Sequence, residues 1–239
     1  MTAESPPSPS RSASPAPPLV SVIVRTMGRA TLGRALACIA AQAHRPIEIV
    51  LVDAADAGVA MDEHAGVPVR VVRGGPLDRP RAANAGLAAA QGEWLAFLDE
   101  DDEILPEHVA QLLAAARASG ARVAYSQTQL VDAAGRPQRA FGGPFNRAAL
   151  LNSNYLAIHA VLFHRSFVDA GSRFDETLPM FEDWDFWIAL SREADFAFTG
   201  RRTAIYRAST GESGAGAGPN LDRERVLALR ERLVRKWSA

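Results

Sequence analysis

The chain has 239 residues, 48% of them hydrophobic, which is enough for one large domain or two small ones with a proper core. A formal net charge of −1 excludes the basic excess typical of nucleic-acid binders, so no nucleic-acid partner is expected. A lone cysteine, Cys38, excludes an intrachain disulfide, and no apolar run approaches the ~20 residues that a transmembrane helix needs.

Residues 1–18 are rich in Ser, Pro and Ala, lack large apolar groups, and read as a disordered tail. They have neither the basic start nor the apolar segment of a signal peptide, so a cytoplasmic location is expected. Order begins with a β-branched strand at 19–24, followed by a turn through 25–29. Thr31 is then placed to cap a helix whose Leu32, Leu36 and Ile39 share a face. A second strand, 47–52, stops at Asp53. Strand, helix and strand joined by short loops predict a βαβ unit with parallel strands. A third strand at 67–72 and a helix at 80–90, despite Gly86, lead to the apolar run 94–98. After Pro106 a helix extends to Gly120.

The second half changes character. Residues 123–131 and 136–141 flank a Gly-containing turn and predict an antiparallel hairpin. A short helix at 146–151, a strand at 157–164, a helix at 182–193, and strands at 196–198 and 203–206 follow. The Gly- and Ala-rich stretch 209–220 reads as a linker. The last helix, 221–237, sets Val226, Leu229, Leu233 and Trp237 in a stripe opposite a basic face. Packing on the domain and resting on an anionic membrane surface are both open to such a helix.

The run 94–98 is dense enough for a buried strand, and it breaks into Asp99, Glu100, Asp101 and Asp102. Ligands of open α/β folds bind where strands end. Four adjacent carboxylates repel, and a hard divalent cation with oxygen ligands is the simplest neutralising group. A solvated acidic turn ahead of a helix is the other reading. An EF-hand loop is excluded, since Ile104 stands where such a loop needs glycine. Asp53 ends another strand, and Phe181-Glu182-Asp183-Trp184-Asp185 opens a helix downstream.

Taken together, these pieces resemble the family-2 glycosyltransferases. The resemblance spans residues 20–207. It is carried by Val22-Ile23-Val24-Arg25-Thr26, Asp53, Arg81-Ala82-Ala83-Asn84-Ala85-Gly86, Leu98-Asp99-Glu100-Asp101-Asp102, Phe174-Asp175-Glu176 and Glu182-Asp183-Trp184-Asp185. It implies an α/β fold of the GT-A kind over residues 19–208, mostly parallel, with an antiparallel acceptor-side half. It implies inverting transfer from a nucleotide diphosphate sugar to a saccharide or glycolipid hydroxyl, assisted by Mg²⁺ or Mn²⁺, as in polysaccharide biosynthesis. By the resemblance Asp101 holds the metal, with Asp99 beside it and accepting from the ribose. Asp53 accepts from the base, with capping of a strand-end turn as its other reading. Arg25 and Thr26 bind substrate, Arg81 and Asn84 fall on the nucleotide side, Asp183 is the general base with Glu182 beside it, and Trp184, Phe181 and Trp187 are placed to stack on acceptor sugars.

The chain also departs from that pattern. Ala54 and Ala55 follow Asp53 where a second acid is common, and Ala208-Ser209-Thr210 stand where many members carry a histidine. Arg207 is the nearby substitute for a phosphate contact. The histidines show no metal-ligand spacing, although His159 precedes the Glu182-Asp183 pair. These departures keep a second reading open, a nucleotide- or sugar-binding module of the same fold without catalysis. A nucleotidyltransferase would want a Gly-, Arg- and Lys-rich loop after the first strand, and that region has Gly28 alone and no lysine.

Overall fold

The computed structural model describes residues 16–207 and 222–238. The expected linker 209–220 and all but the last three residues of the expected tail lie outside them. Pro18 is already packed, with His44 Nε2 2.9 Å from its carbonyl oxygen, so order starts slightly earlier than Leu19.

One mixed sheet organises the domain. β1 (Val20–Thr26), β2 (Ile47–Asp53), β4 (Val67–Arg73) and β5 (Trp94–Phe97) are its parallel part. β9 (Val161–His164) joins β5 antiparallel, followed by β7 (Val123–Val131) and β10 (Phe196–Arg207). β8 (Pro137–Phe141) forms the expected hairpin with β7. The two-residue strands β3 (Glu63–His64) and β6 (Glu103–Ile104) are too short to leave a periodic signal.

The β-branched runs are buried because helices cover both faces. Val22, Val24, Ile49 and Leu51 pack with Leu36 and Ile39 of α1 (Leu32–Ala40) and Leu112 of α3 (His108–Ser119). Ile23, Val50 and Val52 point the other way. They meet Ala83 and Leu87 of α2 (Arg79–Ala89) and a core shared with Phe186 and Trp187 of α6 (Glu182–Ser191). This alternation is the period of two expected of strands buried on both faces. α4 (Arg147–Asn152), α5 (Ser166–Asp169) and α7 (Arg223–Trp237) complete the set.

Some local expectations are corrected. Thr31 has helical dihedrals (φ −71°, ψ −21°) and makes no side-chain capping bond to α1. Asp78 caps α2 instead, accepting from the Arg81 backbone N–H at 3.1 Å. The two short strands after residue 195 are one strand, β10, with register shifts between Phe198 and Ala204. Residues 157–164 open with a 3₁₀ turn, Ile158–Ala160, before the strand begins.

Gly86 is what lets α2 lie close to the sheet. A Cβ there would collide with Ile23 Cγ2 and fall 3.2 Å from Val52 Cγ2. Gly86→Ala is therefore expected to cost about 1–3 kcal/mol by overpacking. A urea midpoint unchanged from wild type would contradict this.

Candidate active site

The strand order β4-β2-β1-β5 places the site. From β1 the chain turns to β2 on one side, and from β4 it crosses through α2 to β5 on the other. The loops after β1 and β5 therefore diverge and leave a crevice at their carboxyl ends. Two connected pockets occupy this rim. The smaller, about 350 Å³, lies over the ends of β1 and β2, with Thr26, Ala54 and Leu77 in its wall. The larger, about 650 Å³, reaches under the antiparallel half to Asn154, Asp183 and Tyr206. Arg25, Arg79, Asp99 and Asp101 line both, so the acids after β5 stand at the junction.

Arg25 is the pivot of that junction. Its Nε and Nη2 donate to the two oxygens of Asp99 at 2.8 and 2.7 Å, and its Nη1 donates to Glu182 at 3.1 Å. Burial opposes the guanidinium charge, but the two carboxylates outweigh it and raise the arginine's pKa. Burial likewise opposes ionisation of Asp99, and Arg25 overrides it, holding that carboxyl below its ordinary value. β1 and α6, 157 residues apart, are tied by this fork.

Asp183 opens α6 and faces the larger pocket alone. The Trp184 backbone N–H donates to its Oδ1 at 2.7 Å and Asn154 Nδ2 to its Oδ2 at 3.1 Å, which fixes the carboxylate plane. Burial first, and then the neighbouring Glu182 charge, raise its pKa well above the carboxylate range. The side chain is partly exposed, at the wall of the larger pocket. Phe181, just before this pair, holds a left-handed backbone (φ 65°), a strained conformation for a bulky residue.

The remaining expected site residues divide. Asp101 is in the rim as placed. Glu182 is committed to Arg25, so its position is that of a support for the junction and not of a second base. Thr26 is fully buried and donates to Glu100 at 2.5 Å. Glu100 also accepts the backbone N–H groups of Met27 and Arg29, and so shapes the loop after β1. Asp53 is fully buried, accepting from Ala57 N–H at 2.9 Å and Val59 N–H at 3.1 Å, and lines neither pocket. The turn-capping alternative describes it. Asn84 clamps the Phe174 backbone through both N–H and C=O, and Arg81 lines neither pocket but pairs with Asp78, in the wall of the smaller one, and with Glu176. Arg207 donates to Glu103 at 2.5 Å, away from the cleft. Trp184, 3% exposed, lines the larger pocket and spends its indole N–H on the Leu150 carbonyl, whereas Trp187 is wholly in the core and offers a sugar no open face.

Other residues at the rim left no signal in spacing: Arg79, Asn154, Tyr155 and Tyr206. His159, 1% exposed, places Nδ1 3.0 Å from Asp102 Oδ2 and stacks on Tyr206. Burial raises the Asp102 pKa, and Asp102 raises that of His159 against the effect of burial, so the pair holds its proton tightly. The expected departure at 208–210 lies outside the described residues.

The apolar stripe of α7 turns inward. Leu233 is fully buried, Trp237 Nε1 donates to Asp185 at 2.8 Å, and Lys236 Nζ lies 2.9 Å from both Asp185 and Asp175. The stripe packs on the domain, one of the two uses the sequence left open, and the end of the helix pairs with Asp185 of α6. Among the described residues no helix is long and apolar enough to cross a membrane.

The family model described as glycosyl transferase family 2 matches residues 21–164, more than half of the chain. The succinoglycan biosynthesis protein ExoO of Rhizobium meliloti (strain 1021) is 32% identical over 187 residues, covering 70% of this chain and 54% of ExoO. The uncharacterized glycosyltransferase alr2836 of Nostoc sp. is 35% identical over 101 residues, covering 39% of this chain and 31% of that protein. This chain thus spans about half, or less, of the curated relatives that it matches. Among solved structures, S. aureus TarS 1–349 in complex with UDP superposes with a TM-score of 0.64 at 21% identity, over 90% of this chain and 64% of TarS 1–349. Its complex with UDP-GlcNAc gives 0.63 at 17% identity, over 88% and 66%. The fold is the mixed α/β GT-A arrangement of those structures, and the chain belongs to glycosyl transferase family 2.

Proposed function

We propose that this chain is an inverting glycosyltransferase that moves a sugar from a nucleoside diphosphate donor to a hydroxyl of a saccharide or glycolipid acceptor. The observation that carries the reading is the placement of Asp183 against the Asp99–Asp101 junction in one cleft, with a nucleoside-sized pocket on the far side. In this reading the donor base and ribose enter the smaller pocket, the diphosphate lies at the junction, and the acceptor occupies the larger pocket. Asp183 takes the proton of the attacking hydroxyl. Attack from the side opposite the leaving diphosphate inverts the anomeric carbon. Arg79 faces the donor phosphates, and Arg25 keeps Asp99 ionised beside them. The relatives support a uridine donor and a role in polysaccharide assembly, since TarS was solved with UDP and UDP-GlcNAc and ExoO belongs to succinoglycan biosynthesis.

Mg²⁺ or Mn²⁺ suits the junction. Among the described residues no three His, Cys, Asp or Glu side chains form a complete cage. Mg²⁺ is ordinarily held by one or two carboxylates together with substrate phosphates, a donor set that Asp101 and a diphosphate provide. Asp99, gripped by Arg25, is the weaker candidate ligand. A bound divalent cation supplies charge compensation for the departing diphosphate.

Calorimetry with UDP, with and without Mn²⁺, tests the donor half. Binding that needs Mn²⁺, and weakens about tenfold or more in Asp101→Ala, is the expected result. Absence of UDP binding by wild type would sink the reading. Proton NMR of the transferred linkage then reports inversion or retention directly.

A further inference from the structure

The larger pocket contains two arginines that the reaction just proposed does not use. Arg139 comes from β8 and Arg230 from α7, elements far apart in sequence, and both are exposed residues in the wall of this cleft. Neither enters the smaller pocket. Like Arg79 in the same pocket, neither is paired with a carboxylate among the described residues, unlike five other arginines of the domain. Arg25 is neutralised by two carboxylates, Arg81 by Asp78, Arg136 by Asp132, Arg147 by Asp195, and Arg207 by Glu103. Arg139 has no side-chain partner among the described residues. Arg230 donates only to the Asn152 carbonyl oxygen, at 3.0 Å, and a carbonyl brings no balancing charge.

Position tells which substrate these charges face. Arg230 holds Asn152, and two residues on Asn154 holds Asp183, so Arg230 belongs to the side where the acceptor hydroxyl is deprotonated. Arg139 lies on the strand paired to β7, whose Leu130 lines the same pocket, and Gln129 Nε2 donates to the Arg139 carbonyl. The same pocket wall offers amides and hydroxyls of Asn152, Ser153 and Tyr155, and the ring of Phe141. Amides, hydroxyls and an aromatic ring suit sugar hydroxyls and a sugar face. Two uncompensated guanidinium forks suit a planar or tetrahedral anion.

We propose that the outer end of this cleft is a subsite for an anionic group on the acceptor, a carboxylate or a phosphate, gripped by Arg139 and Arg230. The proposal rests on the reading of the larger pocket as the acceptor side. It makes the chain selective for acidic or phosphorylated saccharides over neutral ones, and it gives the C-terminal helix a direct part in acceptor choice.

The test uses the full chain with UDP and Mn²⁺ present, titrated by saturation-transfer NMR with methyl β-glucoside, methyl β-glucuronide and glucose 6-phosphate. The two anionic probes are expected to bind at least about tenfold tighter than the neutral glucoside, as one well-placed charge-assisted contact allows. That preference should vanish in Arg139→Gln and in Arg230→Gln and persist in Arg136→Gln, which removes the same charge from the exposed hairpin turn. A preference for the glucuronide assigns the subsite to acidic sugars, and one for the phosphate assigns it to phosphorylated acceptors. Equal binding of all three probes, or a preference untouched in both pocket variants, overturns the proposal. UDP binding is read in the same samples. If it survives while the preference is absent, only the subsite fails, and if it is lost in wild type the donor reading fails as well.

Discussion

Asp183→Asn is expected to lower kcat by about 10²–10⁴-fold, the usual contribution of a positioned general base, while UDP affinity stays within about twofold of wild type. The side chain lines only the acceptor-side pocket, so the donor loses no contact. Its pKa, pushed up to about 7 by burial and by Glu182, also sets the pH profile. A base works deprotonated, so kcat/KM should rise with pH along a limb far above the ordinary carboxylate value of about 3.9. Stability should run the opposite way. A carboxyl whose folded pKa is raised favours the fold while protonated, and that contribution is lost as pH rises through the folded value. Wild type should therefore lose ground to Asp183→Asn in thermal unfolding as pH rises from about 4 to about 7, and the difference should level off above that. A flat acid limb down to pH 5, or donor affinity lost together with turnover, would remove Asp183 from the role of base.

Arg25→Met is expected to damage both fold and chemistry. The methionine fills the space of the stem but leaves Asp99 and the buried Glu182 facing each other without a cation. Removing one partner from such a buried network costs about 3–5 kcal/mol. For a domain of this size that is a fall in Tm of roughly 6–20 °C. The pH dependence sharpens the test. Asp99, held low by Arg25 in wild type, contributes stability above the ordinary carboxylate range that is lost as pH falls through its folded value. In the variant burial and the facing Glu182 raise that carboxyl instead, so it is relieved by protonation as pH falls, and the loss in Tm should be larger at pH 7 than at pH 4. Arg25 also lowers the Asp183 pKa, so the acid limb of any remaining activity should move to higher pH. Arg25→Lys restores the charge without the fork and should recover only part of the stability. Equal Tm for Arg25→Met and wild type at neutral pH would show that the three-residue bridge does not hold β1 to α6.

The C-terminal helix follows the same logic on a smaller scale. Lys236→Ala removes the ammonium beside Asp185, which is 3% exposed in its side chain, and leaves Trp237 as its remaining partner. A measurable loss of thermal stability is expected, without change in UDP binding.

Much of this protein was written in its local chemistry. The β-branched runs ending at Asp53 and Asp99, the helices between them and the Gly-turned hairpin were legible, because strand and helix periods depend only on which neighbours are apolar. The rim acids and the pair Glu182-Asp183 were legible for a related reason, since strand and helix ends are fixed by the elements themselves. Roles within the site were not. Asp53, Asn84 and Arg207 have the residue types a nucleotide would want, yet each is used by a nearby backbone or side chain, and only the folded distances reveal that use. Arg79, Asn154 and Arg230 carry no pattern of their own and become site residues by where α2, the loop after α4 and α7 come to rest. Sequence alone determined the sheet, the helices and the carboxylates available at their ends. Tertiary structure decided which charges cancel within the protein and which remain for a substrate, because a charge is neutralised through space, within a few ångströms, whatever the distance along the chain.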